Sequence, residues 1–301
     1  MGNPKEVGEE DAAPPPYTAI DTNPRPPLND SQAPPYVAAS GSSGAGAGAI
    51  AGVSSRFPQC LNAYFEKKFL TKVFHLGEHA ETPLYAVTMH SGWSGKPLLE
   101  MHSGPSESDP IVATAGHESR WSSGKHTIIQ VFPNPADPTG PSTSAGESSS
   151  GSGSGSGSGF GSQGAGKTFN MIEKHSWTRL WHELSIEVGI GKDLRVENFE
   201  WRRTRGEEVK ELDKWGQGWK LVRLSGTAAA AGGQNATSDG KEVVAVWTVN
   251  SSWSMNKFCK FQFLESGATG VLGDAFALAA LVSGLKIWYL EFIQTTASSA
   301  G

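Results

Sequence analysis

The chain is poor in cysteine, in net charge and in long apolar runs. Two cysteines, Cys60 and Cys259, among 301 residues exclude a disulfide framework and cannot build a structural zinc site on their own. A formal net charge of −5 disfavours a general nucleic-acid binder, whose phosphate contacts demand a basic surface. The segment Met1 to Ala12 is acidic and has no apolar h-region, so no secretory signal is expected. The protein is therefore expected to be intracellular and cytoplasmic, peripheral at membranes at most, with reduced thiols. The sequons at Asn29, Asn235 and Asn250 are then expected to stay unmodified.

Signatures of catalysis are also missing. There is no Gly-x-Ser-x-Gly elbow, no Cys–His nucleophile context and no clustered carboxylate pair. Of eight histidines, His75 and His79 are four apart. They straddle Gly77 in a strand-to-loop stretch, where helical ligand spacing has no force. Glu183 and Glu187 share a strand face without a reason for a shifted pKa. Gly267, Gly270 and Gly273 precede a helix but lack dinucleotide spacing and a parallel βαβ context; they read as a tight turn. No metal, no cofactor and no enzymatic activity are expected.

What the chain does contain falls into tails, insertions and strands. Residues 1–56 are rich in Pro, Ser, Ala and Gly, with three basic against six acidic residues, and show no apolar period. Such a segment is expected to be disordered, because it buries too little surface to offset its ordering entropy. Residues 139–166 form a Gly-Ser stretch that serves equally as a linker between domains or as an insertion within one sheet. A smaller insertion spans 225–240, and 296–301 are expected to be a disordered end. The remainder reads as short strands at 69–76, 83–90, 97–103, 110–115, 126–132, 168–173, 180–188, 194–203, 218–224, 241–249 and 257–264, broken by turn residues. Cys259, Phe261 and Phe263 share one face of the last strand, and Val243, Ala245, Trp247 and Val249 one face of the strand before it.

From Asp274 to Gln294 the pattern becomes helical, with Asp274 as a plausible N-cap. Apolar residues occupy every side of this helix, including Phe276, Leu278, Leu281, Leu285 and Trp288, so it must be deeply buried or lie in lipid. The uncharged run from Ala275 to Leu285, closed by Lys286, is shorter than the roughly 20 residues of a membrane span, and Ser283 and Gly284 weaken it further. Burial is expected, inside a sheet that closes around the helix and so loses its edges.

Many antiparallel strands followed by a hydrophobic helix entered through Val271-Leu272-Gly273-Asp274-Ala275-Phe276 resemble the tubby C-terminal superfamily, with its tubby, LURP-one-related and phospholipid scramblase members. The resemblance covers roughly 57–295 and rests on element order. It implies a mostly β fold, a closed antiparallel barrel of about 12 strands around the C-terminal helix; the long Gly/Ser insertions are similar to those of fungal members. It also implies binding of phosphoinositide or another anionic membrane lipid through basic residues on the barrel wall, with Arg202, Arg203 and Arg205 the nearest candidates. An acidic calcium-binding segment of the scramblase kind is absent, since Glu265 and Asp274 are isolated.

Each candidate has a plainer reading. Arg202, Arg203 and Arg205 suit a phosphate, but from Lys192 to Arg223 there are nine basic and seven acidic residues, which fits a solvated strand and turn. Pro14-Pro15-Pro16-Tyr17 matches Pro-Pro-x-Tyr, the ligand of WW domains such as those of HECT-type ubiquitin ligases; its prolines pre-set the polyproline II conformation. Pro34-Pro35-Tyr36 follows Ala33 and is a weaker copy, and two sites on one tail give avidity. The ten tryptophans read as core and wall, with Trp215 and Trp219 candidates for exposure at a membrane surface. The sequence thus favours a non-enzymatic lipid-associating adaptor. A ligand-binding barrel and a scramblase-like protein with an inserted helix remain open.

Overall fold

The computed structural model describes residues 57–66, 72–91, 95–117, 125–133, 166–214, 216–226, 234–250 and 256–298. Both Pro-Tyr motifs (Pro14, Pro15, Tyr17 and Pro34, Pro35, Tyr36) lie outside the described residues.

Twelve strands follow in order: β1 Cys60–Phe65, β2 Val73–Gly77, β3 Tyr85–Met89, β4 Leu99–His102, β5 Ile111–His117, β6 His126–Val131, β7 Lys167–His175, β8 Leu180–Val188, β9 Arg195–Thr204, β10 Gly218–Arg223, β11 Glu242–Val249 and β12 Lys257–Phe263. Each is antiparallel to its neighbours, and β1 pairs with both β2 and β12, so the sheet closes into a barrel. The fold class expected from the sequence is the one observed. The pattern missed β1, in which Asn62 and Ala63 dilute the β-forming residues. β6 and β7 pair from His126↔Ile172 to Val131↔Lys167, so the chain on either side of the Gly-Ser run builds one sheet. Gln234 to Gly240 form an ordered turn whose Gln234 and Asn235 backbone amides donate to Glu265 Oε1.

Strand alternation sends one row of side chains inward. Leu61, Phe74, Val87, Met101, Ala115, Ile129, Met171, Leu184, Phe199, Leu221, Ala245 and Phe263 are among those that meet in a single apolar core. On β11 the alternation slips. The pairing passes from Leu221↔Ala245 to Val222↔Val243 and skips Val244. This bulge turns Val243 outward, where it packs with Val246, Leu264 and Leu212. The expectation that Val243 shares a face with Ala245 and Trp247 is corrected by that extra residue.

The terminal helix, Asp274–Ser298, occupies the lumen, and 72% of its apolar stretch is buried there. Phe276, Leu278, Leu281, Leu285 and Trp288 are all buried and together contribute on the order of 10 kcal/mol through burial. Trp288 stacks on Phe258 at 4.1 Å, with Phe74 at 5.7 Å and Phe65 at 6.2 Å. Gly273 opens the helix at φ 82°, a left-handed conformation that suits glycine. Ser283 accepts a hydrogen bond from Trp201 Nε1 at 2.9 Å. Gly284 lies against Trp201, Trp247 and Phe261, where a Cβ would meet ring atoms at 3.1 to 3.3 Å. The two residues that weaken the helix as a membrane span thus fit it to the barrel.

The helix leaves the barrel beside the ends of β1, β3 and β9. Phe292 is 6.3 Å from Phe65, Tyr289 Oη donates to the His90 carbonyl, and Glu291 Oε1 lies 4.0 Å from an Arg203 nitrogen. By strand direction, the connections β1–β2, β3–β4, β5–β6, β7–β8, β9–β10 and β11–β12 all lie at this helix-exit end.

A β-branched residue at position 284 has to push three indole and phenyl rings apart. Gly284→Val is expected to destabilise the protein by about 1–3 kcal/mol, read as a lower urea midpoint with an unchanged m-value.

Candidate functional site

β9 carries Arg202 and Arg203 on opposite faces, because successive residues of a strand alternate. Arg202 points outward. Its Nε donates to Glu200 at 2.7 Å and its terminal nitrogen to Asp239 at 3.2 Å. Arg203 follows the inward row to the barrel rim, next to Glu291. Arg205 lies beyond the strand and donates to Gln217 Oε1 at 3.0 Å. Arg202 and Arg203 therefore leave the strand on opposite faces, and Arg205 stands apart from both.

A different grouping does form. A groove of about 590 Å³ runs along the outer wall over β8, β9 and β10 to the helix-exit rim. Arg179, Arg202, Arg203 and Lys220 line it, with His175 and Leu180 among its other walls. Its floor follows the register, since Trp181 pairs with Arg202 and Arg202 with Lys220. Lys220 is held by Glu208 at 2.9 Å, so Arg202 and Lys220 are neutralised in place. Arg179 has no carboxylate partner among the described residues, and its guanidinium lies 5.8 Å from the centroid of the Trp181 ring. Arg203, with a weak contact to Glu291, is the second available cation. An anionic group in this groove would meet Arg179 and Arg203 first.

Two residues before Arg179, Trp177 is fully exposed at the tip of the β7–β8 turn, and Leu180 is 40% exposed. Trp177 departs from the reading of all tryptophans as core or wall. Trp201, Trp219, Trp247 and Trp288 are buried and Trp181 is half-buried. Trp219, expected as a candidate for exposure, instead faces the lumen and donates to Glu291 Oε1 at 3.1 Å; Trp215 lies outside the described residues. Sequence reasoning left the Trp177-Thr178-Arg179 turn unread. The available signal was a large aromatic and a cation in a turn too short to bury either.

Two polar clusters complete the inventory. On the outer wall, Glu197 accepts from Arg223, Arg195 and Ser225, and Arg223 also reaches Glu242. Burial alone would raise the Glu197 carboxyl, but hydrogen bonds from Arg223, Ser225 and Arg195 outweigh it and hold it down at about 2. This network joins β9, β10 and β11. Inside the barrel, His182 is buried against Trp219, ring centroids 5.2 Å apart. Burial, and then the positive charge of Lys286 on the terminal helix, push its imidazole down to about 3. No group of three or more His, Cys, Asp or Glu suited to a metal occurs among the described residues.

The class defined by this geometry is a closed antiparallel barrel filled by its own terminal helix, with a cationic groove at one rim. No family model, curated protein or solved structure matches the chain.

His182 stays neutral in the folded state while the unfolded chain takes up a proton below about pH 6.5. Its contribution to stability is complete above that value and is lost as pH falls toward 3. Between about pH 7 and pH 5 the loss is about 2 kcal/mol, seen as a falling urea midpoint, and His182→Phe is expected to remove most of that slope.

Proposed function

We propose that this protein is a non-enzymatic, tubby-like adaptor that docks on anionic membrane surfaces through the helix-exit end of its barrel. The observation that carries the reading is Trp177, fully exposed beside a groove that holds Arg179 and Arg203. An indole gains most where one face meets acyl chains and its N–H meets water, which is the membrane interface. Each cation close to an anionic bilayer adds about 1 kcal/mol. Ile293, 39% exposed on the emerging helix, adds apolar surface at the same end.

The tubby placement is supported by the architecture that the resemblance implies, twelve strands closed on a C-terminal helix. A ligand in the lumen is disfavoured because the helix fills it. Of the original trio, Arg203 keeps a role in lipid binding, while Arg202 organises the wall and Arg205 is bonded to Gln217. The lipid class is an anionic headgroup, phosphoinositide or phosphatidylserine.

Vesicle co-sedimentation tests the membrane arm. Wild type is expected to sediment with phosphatidylcholine vesicles containing phosphatidylserine or a phosphoinositide, and weakly with phosphatidylcholine alone. Combining Trp177→Ala with Arg179→Glu and Arg203→Glu is expected to lower partitioning at least about tenfold; unchanged sedimentation of the triple variant overturns the reading.

The tail is the second arm. Pro14, Pro15 and Tyr17 are expected to bind WW domains of HECT-type ubiquitin ligases, with Pro34, Pro35 and Tyr36 as the weaker site. Tyr17→Ala is expected to abolish most capture by an immobilised WW domain, and Tyr36→Ala to reduce it only slightly. Equal capture of wild type and Tyr17→Ala removes this arm.

A further inference from the structure

One cluster inside the barrel is used neither by the proposed membrane contact nor by any hydrogen-bond network. Lys286 is on the buried part of the terminal helix and is 1% exposed. It makes no ion pair or hydrogen bond among the described residues. The terminal helix packs on β5, β6, β7 and β8, and the charge of Lys286 is felt by His117, His182 and Glu173 on three of them. His117 on β5 and Thr127 on β6 pair directly across their ladder, and Glu173 on β7 pairs with His182 on β8. Thr127 Oγ1, His182 Nδ1 and His117 Nδ1 are buried without a hydrogen-bond partner. Four unpartnered polar groups on one helix and three strands of a mostly apolar lumen are far from ordinary, since buried polar atoms are nearly always bonded.

We infer that Lys286, Thr127 and His182 form an internal site for a small monovalent anion such as chloride. The charge argument comes first. Lys286 is surrounded by apolar helix and strand residues, its field reaches both histidines, and the one acidic group it senses is the half-buried Glu173. Unpaired buried charge is costly, and a counterion removes that cost. A water molecule satisfies the orphaned atoms but leaves the charge uncompensated. Donor chemistry agrees. An ammonium, a threonine hydroxyl and a neutral imidazole N–H offer donors to a single acceptor. His117 is outside the ligand set, because its ring bonds to the His126 backbone and so presents a lone pair at its second nitrogen. Size sets the last limit. The helix fills the lumen, and Thr127 and His182 are 1% and 3% exposed, which excludes sulfate or a lipid headgroup.

The full chain is heated in sodium bromide or sodium chloride against sodium gluconate at equal ionic strength. Wild type is expected to gain about 5 °C at saturating halide, with a hyperbolic dependence on concentration. Lys286→Met, which removes the buried charge, is expected to be insensitive to halide and to unfold above wild type in gluconate. Thr127→Val is expected to fold and to bind several-fold more weakly. Bromide NMR line broadening by the wild type, lost in Lys286→Met, reads the site without unfolding. Equal halide responses in wild type and Lys286→Met, or no broadening by the wild type, overturn the proposal.

Discussion

A helix that is apolar on every side has to be enclosed, and a twelve-stranded sheet has to be filled. Those two needs meet in the terminal helix. Eight strands close to a lumen that side chains alone can occupy; twelve leave a wider one, and an α-helix about 10–12 Å across supplies the missing volume. Each part buries the apolar surface of the other. The contacts are correspondingly specific. Trp201 bonds to Ser283, Trp219 bonds to Glu291, and three rings press on Gly284. These fix both the rotation of the helix and its depth, and through Glu291 they also set where Arg203 stands at the rim.

The sequence made the helix and most strands legible because both are patterns of period. Alternation on the last strand places Cys259, Phe261 and Phe263 in the core and leaves Lys260 to reach Asp213 on the outer wall. Failures occurred where a single residue changes the period or where proximity is three-dimensional. The bulge at Val244 reverses Val243, and no local rule announces a bulge within a Val-rich strand. The three arginines looked like a patch because they are adjacent in sequence, yet alternation is what separates them. The cation that joins the groove, Arg179, lies on another hairpin. Trp177 was hidden by composition, because nine other tryptophans made core packing the economical reading.

Lys286 shows a further limit of reading in one dimension. In sequence it closes an uncharged run and argues against a membrane span. In the fold it faces inward with the apolar residues, because helix geometry places it one turn after Ser283 on the side toward β5 to β8. Burial pushes its amine down to about 8, so at neutral pH it still carries charge within the lumen. A charge that a hydrophobic residue could replace at lower cost is hard to explain by stability alone, whereas an internal counterion gives it a purpose.

The distribution of connections gives the molecule two different ends. Pro133 and Gly166, where the Gly-Ser run departs and returns, lie at the end opposite the helix exit, whereas the connection from Arg223 to Glu242 starts at that same end and folds back along the outer wall, so that Asp239 reaches Arg202. The chain also comes to β1 at that end, where Phe57 contacts Tyr85 and Phe263. Long insertions cost little in closure entropy wherever they occur, so entropy does not explain why the Gly-Ser run departs from that end. The docking proposed above offers a steric reason, since a face that lies flat on a bilayer excludes a bulky loop. On the proposed reading, the end bearing Trp177 and the cationic groove meets lipid.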